Sequence, residues 1–211
     1  MRKIVKGSEP KTLSHWKRHN PNGKYQDLSK VERQAISNTC LEEQYYLCAY
    51  CCQCITDKKS HNEHIQPQHV ASNQTLNFHN IVASCNKPKQ CGEAHGAKII
   101  PLTPLMSECE TELEFYLSGH VKGLTARATK TIDVLNLGDS NKALIYTRKQ
   151  LVETLIFQWD SPENFELLDD ESLEIIMTEL NQPEDGQLSA FAPILQNILC
   201  QFLKNQKATE E

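Results

Sequence analysis

The chain has no long hydrophobic run, and this absence limits what the protein can be. No apolar run in the 211-residue chain approaches the length of roughly 18 residues that a membrane-spanning helix needs. The opening residues MRKIVKGSEPK carry positive charge, but no apolar segment follows them, so we expect no secretory signal. The sequence also has no internal repeat and no low-complexity segment. We therefore expect a cytoplasmic protein that makes no contact with a membrane.

Charge is unevenly distributed, although the formal net charge is only −5. Residues 1–39 contain nine Lys/Arg against three Asp/Glu, a net +6. Residues 160–211 contain two Lys/Arg against twelve Asp/Glu, a net −10. The basic end can attract nucleic-acid phosphates, whereas the acidic end repels them and better suits the docking of a protein partner. The alternative is that both ends are ordinary solvated surfaces.

Cysteine and histidine are concentrated between residues 48 and 98, which hold six of the nine cysteines and five of the eight histidines. Cys48 and Cys51 have the C-x-x-C spacing of a zinc knuckle, and Cys85 with Cys91 forms a second, wider pair. Cys51 and Cys54 have the same spacing, so the register of the first pair is open, and free buried cysteines are the alternative. We predict a structural zinc site at Cys48, Cys51, Cys85 and Cys91, because clustered cysteines in a reducing compartment usually bind metal.

A second set of polar residues lies in and just after the span between the cysteine pairs: Glu63, His64, Asn80 and His95. Consecutive strand residues point to opposite faces, so a nearby bend would let Glu63 face a metal ion while His64 faces an attacking water. Phosphodiester hydrolysis needs both a base and a divalent cation. We predict that His64 is the base and that Asn80 fixes the loop and holds His64 through its amide. Glu63 and His95 are predicted to be ligands of the cation.

The pattern C-x-x-C, E-H-I-x-P, H-N-I-V-x-S-C and C-G-x-x-H closely resembles the HNH endonucleases with the ββα-metal fold. The resemblance implies that Glu63 is the first metal ligand, His64 the general base and Asn80 the orienting asparagine. We expect Mg²⁺ as the catalytic cation. The family often places its last ligand directly after the final cysteine, where this chain has Gly92, so Asn86 competes with His95 for that role. The family pattern leaves three histidines unassigned, and these are expected to face solvent or phosphate: His61, His69 and His79.

The resemblance extends over nearly the whole chain. The opening KGSEP, the pair Glu43-Gln44, the tripeptide Leu135-Asn136-Leu137 and Arg148 are similar to the PtuB-like HNH component of Septu-type anti-phage systems, a family also found beside retrons. This implies a defence effector that cleaves nucleic acid and is controlled by a PtuA-like ATPase. A retron reverse transcriptase and its RNA–DNA product are further expected partners.

The predicted fold class is α+β, with a ββα-metal module and its zinc knuckle embedded in a mainly helical chain. We divide the chain into a basic N-terminal arm and helix (1–45), the HNH module (46–105) and an acidic, mainly helical region for partner docking (106–211). Residues 1–26 are predicted to form an extended arm. Trp16 is expected to anchor this arm to the body of the protein, and stacking of Trp16 on a base is the alternative. The capping box Ser29-x-x-Glu32 predicts a helix toward the first cysteines. In the module, a long loop is expected over residues 68–76 and a short helix from Cys91.

Beyond the module, further helices are predicted over residues 125–135, 141–159, 171–180 and 187–203. Residues 107–121 fit either a capped helix or a strand–turn–strand. The last helix has an apolar face that serves either the core or a partner: Ile194, Leu195, Ile198, Leu199 and Phe202.

Two other functions are compatible with these residues. One is a non-catalytic zinc-stabilised module that binds nucleic acid or protein, and the other is a stand-alone restriction-like HNH enzyme. A histidine beside a metal-binding carboxylate favours catalysis, because a binding module has no use for a base there. The sequence does not distinguish DNA from RNA as the substrate.

Overall fold

A computed structural model describes residues 1–159 and 168–209, with side chains described as far as Lys204. About 47% of the chain is helical, which with two small antiparallel sheets confirms a mixed α+β fold. Its described helices are α1 (Lys11–His19), α2 (Lys30–Glu43), α3 (Cys91–His95), α4 (Ala126–Leu135), α5 (Lys142–Ile156), α6 (Asp170–Leu180) and α7 (Ala192–Thr209). Its described strands are β1 (Ser60–His64), β2 (Ile81–Cys85), β3 (Leu113–Phe115) and β4 (Val121–Gly123).

Helix α2 begins at the predicted capping box. The Ser29 hydroxyl accepts a hydrogen bond from the Val31 amide at 3.1 Å, and the Glu32 carboxylate accepts one from the Ser29 amide at 3.0 Å. These bonds satisfy amides that the first helical turn leaves without partners. The helix buries Ile36 and Leu41, so it presents an apolar face to the core.

The N-terminal residues are not an extended arm, and that prediction is wrong. They contain helix α1, and Ile4 and Leu13 are buried in the core. The Lys6 ammonium is also held inside: it donates to Glu43 Oε2 at 2.6 Å and to the Ile81 carbonyl at 2.9 Å. The predicted anchoring role of Trp16 is confirmed, since its side chain packs against the core.

Strands β1 and β2 form the antiparallel hairpin at the centre of the fold. Ser60 pairs with Cys85 at one end and His64 pairs with Ile81 at the other. The connecting residues 65–80 contain two short 3₁₀ turns, and β2 is buried along its whole length. Helix α3 is the next element after β2, so the predicted order of a hairpin with a long loop followed by a short helix is confirmed.

The residues after the hairpin differ in part from the sequence-based expectation. Residues 113–123 form a strand, a turn and a strand, and the capped-helix alternative is reduced to the 3₁₀ turn Ser107–Glu110. Helices α4, α5 and α6 begin within one residue of their predicted starts. Helix α7 starts at Ala192, five residues later than predicted, because Glu184 and Gln187 form a tight turn and Phe191 has left-handed backbone (φ 61°).

The apolar face of α7 belongs to the core, which rules it out as a docking surface. Ile194, Leu195, Ile198 and Leu199 are each at most 2% exposed, and Phe202 is partly buried against the core. One cluster of buried apolar side chains draws on all three predicted segments of the chain. Docking through the acidic surface stays a prediction, and residues 160–167, which contribute to that charge, lie outside the described part of the chain.

Candidate metal centre and candidate active site

Four cysteines lie close together: two precede β1, one ends β2 and one begins α3. The Sγ atoms of Cys48, Cys51, Cys85 and Cys91 lie within 4.8 Å of one another, and all four residues are buried. In a tetrahedral zinc site, Zn–S bonds of about 2.3 Å place the sulfurs roughly 3.8 Å apart. Small side-chain shifts would therefore fit these donors to zinc. The cluster could bind a metal ion such as zinc, as predicted.

The backbone around Cys48 forms a tight knuckle. The Cys48 amide donates to the Gln53 carbonyl at 2.8 Å, and the Cys52 amide donates back to the Cys48 carbonyl at 3.1 Å. Cys52 completes the turn with left-handed backbone (φ 62°). This turn points Cys51 into the cluster and leaves Cys54 exposed, with its thiol near the Leu188 carbonyl at 3.7 Å. The structure thus favours the register Cys48/Cys51.

The cluster stabilises negative charge on two of its sulfurs, since the pKa values of the Cys48 and Cys85 thiols are both lowered. Burial raises the pKa of the Cys48 thiol, but hydrogen bonds from the other three thiols outweigh burial and hold its pKa well below the usual value. The Cys85 amide also donates to Cys48 Sγ at 3.3 Å. Burial, reinforced by the neighbouring sulfurs, raises the pKa values of Cys51 and Cys91 well above the usual range. A cation in place of the shared protons would stabilise all four thiolates.

Glu63 lies between two imidazole rings. Its Oε1 is 2.5 Å from Nδ1 of His95, and its Oε2 is 3.2 Å from Nε2 of His61. Burial raises the pKa of Glu63, but hydrogen bonds from His61 and His95 outweigh it, so the net pKa is lowered. His95 is fully buried, and its Nε2 has no hydrogen-bond partner among the described residues. The structure brings Glu63 and His95 together, as predicted.

His64 is the last residue of β1, directly before a bend at residues 65–66. Its Nε2 is 2.9 Å from the Thr75 carbonyl, which can only accept, so Nε2 carries the ring proton. Its Nδ1 is 3.3 Å from the Gln68 side-chain amide and keeps its lone pair. Burial lowers the pKa of His64, which favours the neutral ring. The strand geometry directs His64 away from the face of β1 that carries Glu63.

Asn80 acts on the loop and not on the His64 ring. Its Oδ1 accepts from the Gln66 amide at 2.8 Å, and its Nδ2 donates to the Gln66 carbonyl at 3.1 Å. The predicted fixing of the loop is therefore present. The predicted direct hold on His64 is replaced by the Thr75 carbonyl.

Helix α3 packs tightly against this site through Gly92. A Cβ atom at Gly92 would lie 2.5 Å from His61 Nε2 and 2.9 Å from Glu63 Oε2. Only glycine leaves room for both side chains, so this residue opens the space where a cation could bind. Asn86, the rival of His95, contacts His61 at 2.8 Å and has no hydrogen bond to Glu63 among those described.

Sequence reasoning missed the contact of His61 with Glu63. His69 and His79 are exposed, as predicted, whereas His61 is only half-exposed. The sequence contained the signal for this contact, because His61 and Glu63 are two residues apart and such residues share a face of a strand. Thr75 gave no comparable signal, since its contact to His64 is made by a backbone carbonyl.

Two open grooves flank the end of the hairpin at Ser60. The first, about 300 Å³, reaches His61, and the second, about 470 Å³, reaches Cys85 and Asn86. Their lining includes five basic side chains and one acidic side chain: Lys30, Arg33, Lys58, Lys59, Lys87 and Asp57. The surface that flanks Ser60, His61 and Asn86 is therefore predominantly positive.

No family model matches the chain, and no curated protein sequence matches it. Among the described residues, no helix is both long enough and apolar enough to cross a membrane.

Proposed function

We propose that this protein is a metal-dependent endonuclease that hydrolyses phosphodiester bonds through an HNH-type ββα-metal centre. One observation carries the proposal: Glu63 lies between two imidazoles, and the adjacent His64 keeps an Nδ1 lone pair whose described partner is the Gln68 amide. A divalent cation bound at Glu63 and His95 would supply charge neutralisation for the phosphate and the leaving oxygen. The proposal takes zinc at the cysteine cluster as a structural ion.

His64 supplies the base in this proposal. The Thr75 carbonyl fixes the Nε2–H tautomer, so Nδ1 is the atom that accepts a proton from water. Burial keeps the ring neutral and able to accept that proton. Gln68 at 3.3 Å from Nδ1 occupies the position from which a water would approach, and its exposed side chain can move aside.

The two basic grooves support the proposal that the substrate is a polyanion. Phosphates attract Lys and Arg irrespective of base sequence, and the groove with Lys30 and Arg33 shares His61 with the candidate site. Both DNA and RNA satisfy this requirement, so the assay must offer both. A non-catalytic zinc module would need the grooves but not the fixed tautomer of His64.

The wider role rests on the resemblance to PtuB-like proteins. It supports a role for this protein as the effector of an anti-phage system, in which a PtuA-like ATPase restrains the nuclease. A retron reverse transcriptase and its RNA–DNA product are further candidate partners. The acidic surface of α6 and the following turn fits a basic partner face: Asp170, Glu171, Glu174, Glu179, Glu184 and Asp185.

The test is cleavage of plasmid DNA and of total RNA by the purified chain, with and without its candidate ATPase partner, in Mg²⁺ or Mn²⁺. We expect cleavage by wild type and at least about 100-fold slower cleavage by His64→Ala, since general-base catalysis contributes that much. His120→Ala is the matched control, because His120 lies in the turn between β3 and β4 and belongs to neither the candidate site nor the two basic grooves. Full activity of a folded His64→Ala protein would refute the assigned base.

A further inference from the structure

A hydrogen-bond chain runs from Asn86 through His61 to Glu63. The Asn86 amide is oriented by its Nδ2, which donates to the Ser60 carbonyl at 3.1 Å. Its Oδ1 therefore faces His61 Nδ1 at 2.8 Å and accepts the Nδ1 proton. This contact fixes the tautomer of the neutral ring, so that Nε2 carries a lone pair.

That lone pair faces another acceptor. His61 Nε2 lies 3.2 Å from Glu63 Oε2, and a carboxylate oxygen also brings only lone pairs. The contact is held by a second proton on the His61 ring, which then donates to Glu63, or by a cation that takes the place of that proton. The second oxygen of Glu63 lies 2.5 Å from His95 Nδ1. One carboxylate thus gathers two imidazole nitrogens from different elements of the fold.

We propose that His61 is a third protein ligand of the cation at Glu63 and His95, and that Asn86 positions it. This inference rests on the proposed function, because it concerns the same site. Histidine ligands commonly donate their other ring N–H to an oriented acceptor, which is what Asn86 provides. Asn86 is then a positioning residue and not the last metal ligand.

The ligand set also selects the metal. Imidazole nitrogens suit transition-metal dications, whereas Mg²⁺ favours carboxylate, carbonyl and water oxygens. Two imidazoles with one carboxylate therefore point to a transition-metal dication such as Fe²⁺ or Ni²⁺ in place of the expected Mg²⁺. Gly92 supports a built site, since a Cβ at that position would lie 2.5 Å from His61 Nε2.

The experiment is Mn²⁺ binding to the zinc-loaded full chain, with Mg²⁺ as competitor. Mn²⁺ is a suitable probe because it is the weakest of the first-row dications at a given site and will not displace zinc from thiolates. Free Mn²⁺ is measured by electron paramagnetic resonance, and imidazole ligands are counted from their ¹⁴N couplings to bound Mn²⁺. Zinc content and circular dichroism of each variant report on folding.

Wild type is expected to bind Mn²⁺ at least about 10-fold more tightly than Mg²⁺ and to show two imidazole couplings. His61→Ala should weaken Mn²⁺ binding by about 10–100-fold, remove one coupling and change Mg²⁺ binding little. Asn86→Ala should weaken Mn²⁺ binding by about 10-fold and retain both couplings. His79→Ala should match wild type. His61→Gln serves as a second variant if the alanine protein loses zinc.

Unchanged Mn²⁺ affinity and an unchanged nitrogen count in His61→Ala would overturn the inference and leave the nuclease proposal standing. A wild-type protein that binds Mg²⁺ as tightly as Mn²⁺ would also overturn the inference. His61-dependent Mn²⁺ binding without cleavage of any nucleic acid would overturn the nuclease proposal alone.

Discussion

Arg148 on α5 is a buried cation without a carboxylate partner in the described part of the chain. Its side chain is 1% exposed, and its guanidinium donates to the carbonyls of Gly119 at 2.6 Å and Leu137 at 3.2 Å. The acidic groups that act on its charge are thiols, those of Cys51, Cys52 and Cys91. We predict that a zinc tetrathiolate, with its net charge of about −2, is the counter-charge of Arg148.

The magnitude follows from burial. Burial lowers the pKa of Arg148 from 12.5 to about 10, and attraction to the thiols only partly offsets it. A pKa drop of this size corresponds to roughly 3 kcal/mol of unfavourable free energy for the charged guanidinium in the metal-free fold. Zinc binding converts neutral thiols to thiolates and should recover most of that energy. Arg148 and zinc are then coupled by roughly 3 kcal/mol, which is about 100-fold in affinity.

The perturbation is Arg148→Met, which keeps most of the side-chain volume and removes the charge. Zinc affinity, measured by competition with a chromophoric chelator, should fall by about 100-fold. Thermal unfolding should show that the substitution destabilises the zinc-loaded protein more than the chelator-treated protein. Arg148→Lys should retain more affinity than Arg148→Met because it keeps a positive charge.

Arg127→Met is the control, because Arg127 is partly exposed and pairs with Glu108 and Glu112 away from the cysteines. Its zinc affinity should stay within about twofold of wild type, as expected for a substitution that leaves the site untouched. Folded Arg148→Met protein with zinc affinity within about threefold of wild type would refute the electrostatic coupling.

Two further predictions concern the metal sites. Gly92→Ala should weaken Mn²⁺ binding by more than about 10-fold and slow cleavage, because a Cβ displaces His61 and Glu63, while zinc content is retained; unchanged Mn²⁺ titration would contradict the packing argument. Cys48→Ser should lose zinc and soluble yield together, because one donor of a closed site is gone. Cys54→Ser should keep both, and loss of zinc from that variant in metal analysis would return the first pair to Cys51/Cys54.

Local chemistry could be predicted from the sequence, because it depends on residues a few positions apart. The spacing of Cys48 and Cys51 fits a single tight turn, and Ser29 with Glu32 fits one helical turn. The pairing of Glu63 with His95 was predicted through the family resemblance, and the structure places the two side chains in contact. The prediction of a mixed α+β chain was confirmed for the same reason, since helical periodicity is a local pattern.

The extended arm was predicted from composition, and composition was a poor guide there. Lys, Asn, Gly and Pro residues favour loops, yet α1 forms because Leu13 and Trp16 gain a buried surface to pack against. The apolar face of α7 could be assigned from the sequence either to the core or to a partner, for a related reason. Periodicity predicts an apolar face, but only the packed structure decides whether that face meets the core or a partner.

The sequence by itself determined which chemistry the chain can hold: four thiol donors, a carboxylate beside a histidine, and the helices and strands that carry them. Only the tertiary structure decided which groups meet. His61 and Asn86 are 25 residues apart and Arg148 and Gly119 are 29 apart, and no local spacing encodes either contact. Such contacts depend on how helices and strands pack in three dimensions, so the roles of His61, Asn86 and Arg148 became apparent only from the fold.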